Sequence, residues 1–128
     1  MSRIKIIILT AIISLGVLAV ILALSSARHS AANQNRLADI TQIHEALKFF
    51  YDQNGYYPYG SPLPEGIGDY LDHWPIPPTP AGICSSISDT YAYSQKSSGN
   101  NYSLTFCLSA KTSGLAAGMH TLSSGGIE

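Results

Sequence analysis

The stretch that decides the fold is residues 6–24, IIILTAIISLGVLAVILAL. It carries no charged side chain, and only Thr10, Ser14 and Gly16 interrupt its apolar character. As an α-helix rising 1.5 Å per residue it would be about 28 Å long, close to the hydrocarbon thickness of a bilayer. The stretch therefore predicts a transmembrane helix.

The basic residues around this stretch predict its orientation. Arg3 and Lys5 precede it on a very short amino end, while Arg28, His29 and Arg36 follow it. A short positive end favours the cytoplasmic side. We expect a single-pass membrane protein with a cytoplasmic N-terminus and an extracytoplasmic remainder.

A cleaved secretory signal peptide is the alternative interpretation of the same stretch. Positions 23–25 (ALS) offer a small-x-small cleavage site. The apolar run is longer than the roughly 7–15 residues of a signal-peptide core, which favours a retained anchor.

The sequence predicts that the helix continues well beyond the membrane. Residues 25–34 are small and polar, and Ser25, Ser26 and Asn33 among them, like Asn35, are weak helix formers, but there is no proline or glycine that would end a helix. From Leu37 onward the pattern becomes amphipathic. Gly55 is a good stop, because glycine accepts the left-handed conformation of a C-cap. We expect one helix over about 4–53, with a transmembrane and assembly half within 1–36 and an amphipathic half within 37–54.

The remainder predicts a small antiparallel sheet, and therefore an α+β fold in which the long N-terminal helix packs against that sheet. Residues 37–128 would form an extracytoplasmic head: the helix 37–54, a proline-rich loop 55–89 with a helical turn near 68–73, a β-hairpin 90–109 and a C-terminal segment 110–128. The hairpin is predicted from the alternation of larger apolar and smaller residues, with a period of two, over 102–108. A weaker third strand is expected at 119–123. The predicted head core comprises Ile40, Ile43, Leu47, Phe50, Trp74, Leu104 and Phe106.

Two side chains of this head, Trp74 and Phe49, have more specific expectations. Trp74 should pin the proline-rich loop to the long helix through its large apolar surface. Phe49 lies opposite the stripe that contains Ile40 and Phe50, so something other than the subunit's own sheet should cover it.

The two cysteines, Cys84 and Cys107, both lie in the predicted head. If the head is outside the cytoplasm, a disulfide is the natural interpretation. In a cytosolic protein they would be two unrelated buried thiols.

Several kinds of chemistry find no support in the sequence. Charged residues make up only 12% of the chain, without a basic run of nucleic-acid-binding length, so no nucleic acid partner is expected. No histidine pair has zinc-motif spacing, and Asp89 is the only carboxylate between Asp72 and Glu128, which argues against a calcium site. No nucleophile is accompanied by a base and an orienting group, so we expect no enzyme, no catalytic residue, no metal and no cofactor.

The apolar helix is followed by a series of short motifs with a recognisable layout. They are RLADI at 36–40, Ile43, AL at 46–47, Tyr51, NGYYP at 54–58, WP at 74–75, the strand 102–108, and the tail segments KTSGL at 111–115 and HTL at 120–122. The layout covers most of the chain and resembles the type IV pilin superfamily, most of all the major pseudopilins of type II secretion systems and related bacterial pilin-like proteins.

The resemblance implies a structural subunit that polymerises through its N-terminal helix into a pilus-like or pseudopilus filament, periplasmic or extracellular. Its implied partners are copies of itself, other pilin-like subunits, membrane lipid and an inner-membrane assembly platform. The alternative is a single-pass anchored binding module that does not polymerise. The predicted membrane and assembly residues are Lys5, Ile6, Leu9, Ile13, Gly16, Val20, Leu24 and Phe49.

The sequence departs from the family pattern at its amino end. Family members carry a basic leader that a prepilin peptidase removes, and we expect no such cleavage in this sequence. They also carry a glutamate near the start of the apolar helix. An ungapped count back from Tyr57 and Pro58 places Lys5 at that position, and Leu22 where a helix-breaking proline is common. We therefore expect Lys5 to alter how the subunit joins its neighbours.

Overall fold

Helix α1 spans Arg3–Asn54 in the computed structural model, which describes residues 2–86 and 90–128. The hydroxyl of Ser2 caps its first turn by accepting from the Lys5 amide. Gly55, at φ 78°, ends it in the left-handed conformation and donates its N–H to the Tyr51 carbonyl at 2.7 Å. The weak helix formers of 25–34 do not interrupt it, so the 52 residues form one rod of about 78 Å.

Four antiparallel strands form one sheet in the order β1-β2-β3-β4. Their bounds are Ala92–Lys96 for β1, Asn101–Leu108 for β2, Gly118–Ser123 for β3 and Gly126–Ile127 for β4. The predicted α+β fold of a long helix and a small antiparallel sheet is confirmed, as are the hairpin and the third strand. Strand β4 was not predicted, because a strand of two residues is too short to show alternation.

The described connections contain three 3-10 turns, Ile67–Asp69, Gly82–Cys84 and Ser97–Gly99. The first lies within one residue of the start of the helical turn predicted at 68–73, but it is shorter. The second carries Cys84, which is disulfide-bonded to Cys107 on β2. The predicted disulfide is confirmed, and it ties the proline-rich loop to the centre of the sheet.

The core lies between one stripe of α1 and one face of the sheet. Ile40, Ile43 and Leu47 are at most 1% exposed, and Phe50 is also buried. From the sheet, Leu104 and Phe106 meet this stripe in the same apolar cluster. The exposed side of this helix half includes Thr41 and Phe49.

Trp74 was predicted as a core residue, but it lies at the rim of the core. Its side chain is half-buried and packs against the buried cluster from outside. The indole N–H donates to the Tyr91 carbonyl at 3.1 Å, and its ring lies edge-on to Tyr93. Trp74 therefore fastens the proline-rich loop to the β1 side of the head, and the cluster that it packs against also contains the core stripe of the long helix.

We expect Leu47→Ala to lower the free energy of unfolding by about 2–5 kcal/mol, because it opens a cavity in a site with no solvent access. The matched control is Thr41→Ala on the exposed face of the same helix. Unfolding of the full chain in detergent can be followed by fluorescence of Trp74, the single tryptophan. Equal effects of the two substitutions would contradict the assignment of helix faces.

A cluster of tyrosines fills the distal part of the core. The rings of Tyr57 and Tyr102 are 4.8 Å apart, and Tyr93 stacks on Tyr102 at 5.8 Å. Tyr93 donates its hydroxyl to the Pro58 carbonyl at 2.7 Å, and the Tyr102 hydroxyl lies 2.7 Å from His44 Nδ1. Burial, reinforced by the neighbouring Tyr57, raises the pKa of both Tyr93 and Tyr102 well above the ordinary tyrosine value.

These raised pKa values predict alkaline unfolding of the head. Tyr93 and Tyr102 keep their protons in the folded state while the unfolded chain loses them, so their stabilising effect is complete below about pH 10 and falls as pH rises further. Spectroscopic titration of tyrosinate should show exposed tyrosines ionising first and the buried ones ionising together with unfolding. Ionisation of every tyrosine before any loss of Trp74 fluorescence signal would contradict this expectation.

Candidate membrane and assembly surface

The first half of α1 is an exposed apolar surface on every side. Each Ile, Leu and Val between positions 4 and 24 is at least 48% exposed. This part of the helix is long and apolar enough to cross a membrane, and it is a candidate membrane span. A continuous apolar surface of this extent is unusual on a soluble monomer, so lipid or other protein must cover it.

The hydroxyls within this span are satisfied inside the helix. Thr10 donates its hydroxyl to the Ile7 carbonyl at 2.9 Å, and Ser14 donates to the Thr10 carbonyl at 2.8 Å. A polar group without a partner is costly in hydrocarbon. These bonds remove that cost, so the two polar interruptions of the sequence do not oppose membrane insertion.

The predicted assembly residues of the span fall on one face of α1. At 3.6 residues per turn, Ile6, Leu9, Ile13, Gly16, Val20 and Leu24 lie within about a quarter of the helix circumference. Lys5 lies at the edge of this face. By the same geometry the face is roughly opposite the stripe of Ile40, Ile43 and Leu47 that carries the head. At Gly16 an added Cβ would meet no atom within 4 Å, so the backbone is open to close approach by another helix.

Phe49 extends the exposed apolar surface into the second half of the helix. Its side chain is 62% exposed, on the side away from the sheet. The sheet does not cover it, in agreement with its position opposite the core stripe. A partner that packs along α1 beyond the membrane would bury it.

A polar junction, which the sequence pattern did not predict, joins the span to the head. Arg36 is 3% exposed: one guanidinium nitrogen donates to Asn33 Oδ1 at 3.0 Å, and the other donates to the carbonyls of Pro78 and Thr79 at 2.8 and 3.0 Å. Asn33 is fully buried and donates to the Ser109 hydroxyl at 3.0 Å, while Oδ1 accepts from the Ser109 amide. The head thus already contacts the helix at Asn33, three residues before Arg36.

A signal for this junction was present in the sequence. Asn33, Arg36, Ile40 and Ile43 have helical i, i+3, i+7, i+10 spacing, which continues the core stripe by one turn towards the membrane. Arg36 was instead interpreted as a flanking charge of the span.

Substitution of Asn33 tests how far the junction stabilises the head. Asn33→Ala leaves the Ser109 amide and the Arg36 guanidinium short of an acceptor, so we expect a loss of about 1–3 kcal/mol. Asn35→Ala is the control, because Asn35 is exposed two residues away on the same helix. Denaturant unfolding of the full chain in detergent measures the stability of both variants. Equal unfolding midpoints would show that the junction does not stabilise the head.

Within the described ranges, 2–86 and 90–128, no group of three or more His, Cys, Asp or Glu side chains is placed to hold a metal ion. His44 is engaged by Tyr102, and His120 stacks on Phe106 with its Nε2 at 2.7 Å from the Ala116 carbonyl. The exposed side of α1 is the most extensive apolar surface described above.

Comparison with known proteins gives no match to a family model, to a curated protein or to a solved structure.

Proposed function

We propose that this chain is a structural subunit, anchored in a membrane by α1, that polymerises through the exposed side of that helix into a filament of the type IV pilus or type II secretion pseudopilus kind. The observation that carries the proposal is the division of one unbroken helix. Its second half is buried on one face by the head, while its first half is apolar all round and contacts no core of its own.

The exposed face has the properties that packing between identical helices requires. A stripe from Ile6 to Leu24 with an open glycine permits close approach in either lipid or a filament core. Exposed Phe49 offers a further contact for a neighbouring subunit outside the membrane. In this proposal the partners are copies of the chain, other pilin-like subunits, membrane lipid and an inner-membrane assembly platform. The N-terminus is cytoplasmic, and the filament is periplasmic or extracellular.

The amino end makes assembly by this route unusual. Arg3 and Lys5 are both positive, whereas related filaments place a glutamate near this point. An unpaired charge in an apolar environment is costly, so the basic end favours the anionic headgroups at the cytoplasmic face of the membrane. A subunit of this kind enters a filament only where its basic end meets polar groups or water.

A second function, as an anchored binding module, is favoured by a separate observation. Tyr59, Leu63 and Ile76 are 59%, 54% and 84% exposed on the proline-rich loop. Leu63 and Ile76 also line an apolar groove, together with Trp74. Such a surface suits a protein ligand, and this function requires no polymerisation.

Electron microscopy of material sheared from cells that express the full chain separates the two functions. We expect thin filaments containing this chain, and we expect Lys5→Glu to raise the share of subunits in filaments over membranes, because the new carboxylate can pair with Arg3 of a neighbour.

Lys5→Gln is the matched control, because it removes the positive charge without adding a partner. An unchanged distribution in Lys5→Glu would show that position 5 does not determine assembly. A chain that stays in the membrane fraction, with no filament in any variant, would overturn polymerisation and favour the binding module.

A further inference from the structure

The loop between β2 and β3, residues 109–117, reaches back along α1 towards the membrane span; we term it the base loop. Its start is fixed to the helix, because the Ser109 amide donates to Asn33 Oδ1 at 3.2 Å. Gln34 extends the contact with a 3.5 Å hydrogen bond to the Ser113 hydroxyl. A shallow depression separates the two, lined by Leu22, Ser25 and His29 on the helix and by Ala110, Lys111 and Thr112 on the loop.

The depression places the base loop at the level where the apolar stretch ends. The last residue of that stretch is Leu24, and Arg28 lies four residues later, about 6 Å along the helix. The polar layer of a bilayer extends about 5–7 Å beyond the hydrocarbon on each side. If α1 crosses the membrane through residues 6–24, then Arg28, His29 and Lys111 lie in the headgroup layer.

The side chains at this level are basic and free to bind. Lys111 and Arg28 are both exposed, and neither makes a hydrogen bond or ion pair with any other described residue. Arg28 lies about 100° around the helix from His29, so the basic side chains are spread around the end of the span.

The described carboxylates other than Glu128 lie farther from the span. Glu128 is one histidine away from the base loop, because the His120 ring contacts both the Glu128 and the Ala116 carbonyls. On α1 the first is Asp39, about 16 Å beyond Arg28, and its Oδ2 already accepts from the Tyr91 hydroxyl. Glu128 lies beside Thr121 at the edge of the sheet. The other carboxylates lie on the distal part of α1 and on the turn beyond it, and they are Glu45, Asp52, Glu65, Asp69 and Asp72. Among the described residues, Arg28 and Lys111 therefore make the base of the head basic, while at the distal end the carboxylates outnumber Lys48 and Lys96.

We propose that the base of the head binds anionic phospholipid headgroups of the membrane that α1 crosses, with Lys111 and Arg28 contacting lipid phosphate. The charges are complementary, and the surface is continuous with the candidate span. Each basic residue close to an anionic surface strengthens binding by about fivefold. The anchor holds these residues near lipid permanently, so even a weak contact is occupied. This contact would fix the head against the membrane, and it must break before a subunit leaves the bilayer.

The inference rests on the anchoring part of the proposed function and does not depend on polymerisation. A second copy of the chain, docking its acidic distal end against the basic base, is the competing occupant. The two occupants differ in their requirements: lipid binding needs an anionic bilayer, while docking of a second copy needs a high density of protein.

Hydrogen exchange of the full chain in vesicles tests the proposal. The chain is reconstituted at low density in vesicles of pure phosphatidylcholine and in vesicles that also contain phosphatidylglycerol. We expect exposed amides of residues 110–117 to exchange about fivefold more slowly with the anionic lipid. The difference should vanish in 1 M salt, where screening acts within about 3 Å.

Two double variants with the same change in net charge provide the control. R28Q/K111Q should abolish the difference between the two vesicle types. K48Q/K96Q should retain it, because Lys48 and Lys96 are exposed on the distal part of the head. Trp74 fluorescence verifies that both variants remain folded.

Three results would overturn the inference. They are equal exchange in the two lipids, a lipid-dependent difference that survives in R28Q/K111Q, and protection that depends on protein density instead of lipid charge, which would identify a second copy as the occupant. Failure of the anchor itself is recognised separately, because alkaline carbonate would then extract the chain from vesicles without detergent.

Discussion

The contact between the sheet and one stripe of α1 is the interaction on which the rest of the structure depends. Ile40, Ile43 and Leu47 are shielded from water almost completely, and the residues that shield them come from strands far away in sequence. A sheet of four short strands needs a partner to bury its apolar face, and a helix half outside the membrane gains most of its stability from packing. Neither element would persist alone, so the stripe both forms the head and holds it on the helix.

The same contact determines which surfaces remain for function. Because the head occupies one side of α1, the opposite side is left exposed from the span to Phe49. The helix passes from span to head without a break, so its hydrogen-bonded backbone connects the two halves as one rod. Asn33 and Arg36 then prevent the head from rotating about that rod, since their hydrogen bonds reach both the proline-rich loop and the end of β2.

Arginine suits this junction for a geometric reason. Its planar guanidinium directs several N–H groups at once, and here they reach three oxygens on two separate segments. A buried charge is tolerated where hydrogen bonds replace its hydration. A few residues closer to the membrane, Arg28 and Lys111 are exposed, and there lipid phosphate can replace water as their partner. The region just outside the span therefore contains one basic group used for folding and two available for binding.

The sequence by itself determined the features that depend on local pattern: the apolar span, the limits of α1, its core stripe, and the hairpin with its period of two. The disulfide followed from the presence of only two cysteines and the expected topology. Tertiary structure alone decided the pairing of β3 and β4, the attachment of Trp74 to β1, and the proximity of Lys111 to the end of the span. These features join residues distant in the chain, and no local periodicity encodes them. The burial of Arg36 belongs to the same group. In the sequence, a charged side chain next to an apolar span is typical of a membrane boundary. Only the fold brings together the oxygens that accept hydrogen bonds from its guanidinium.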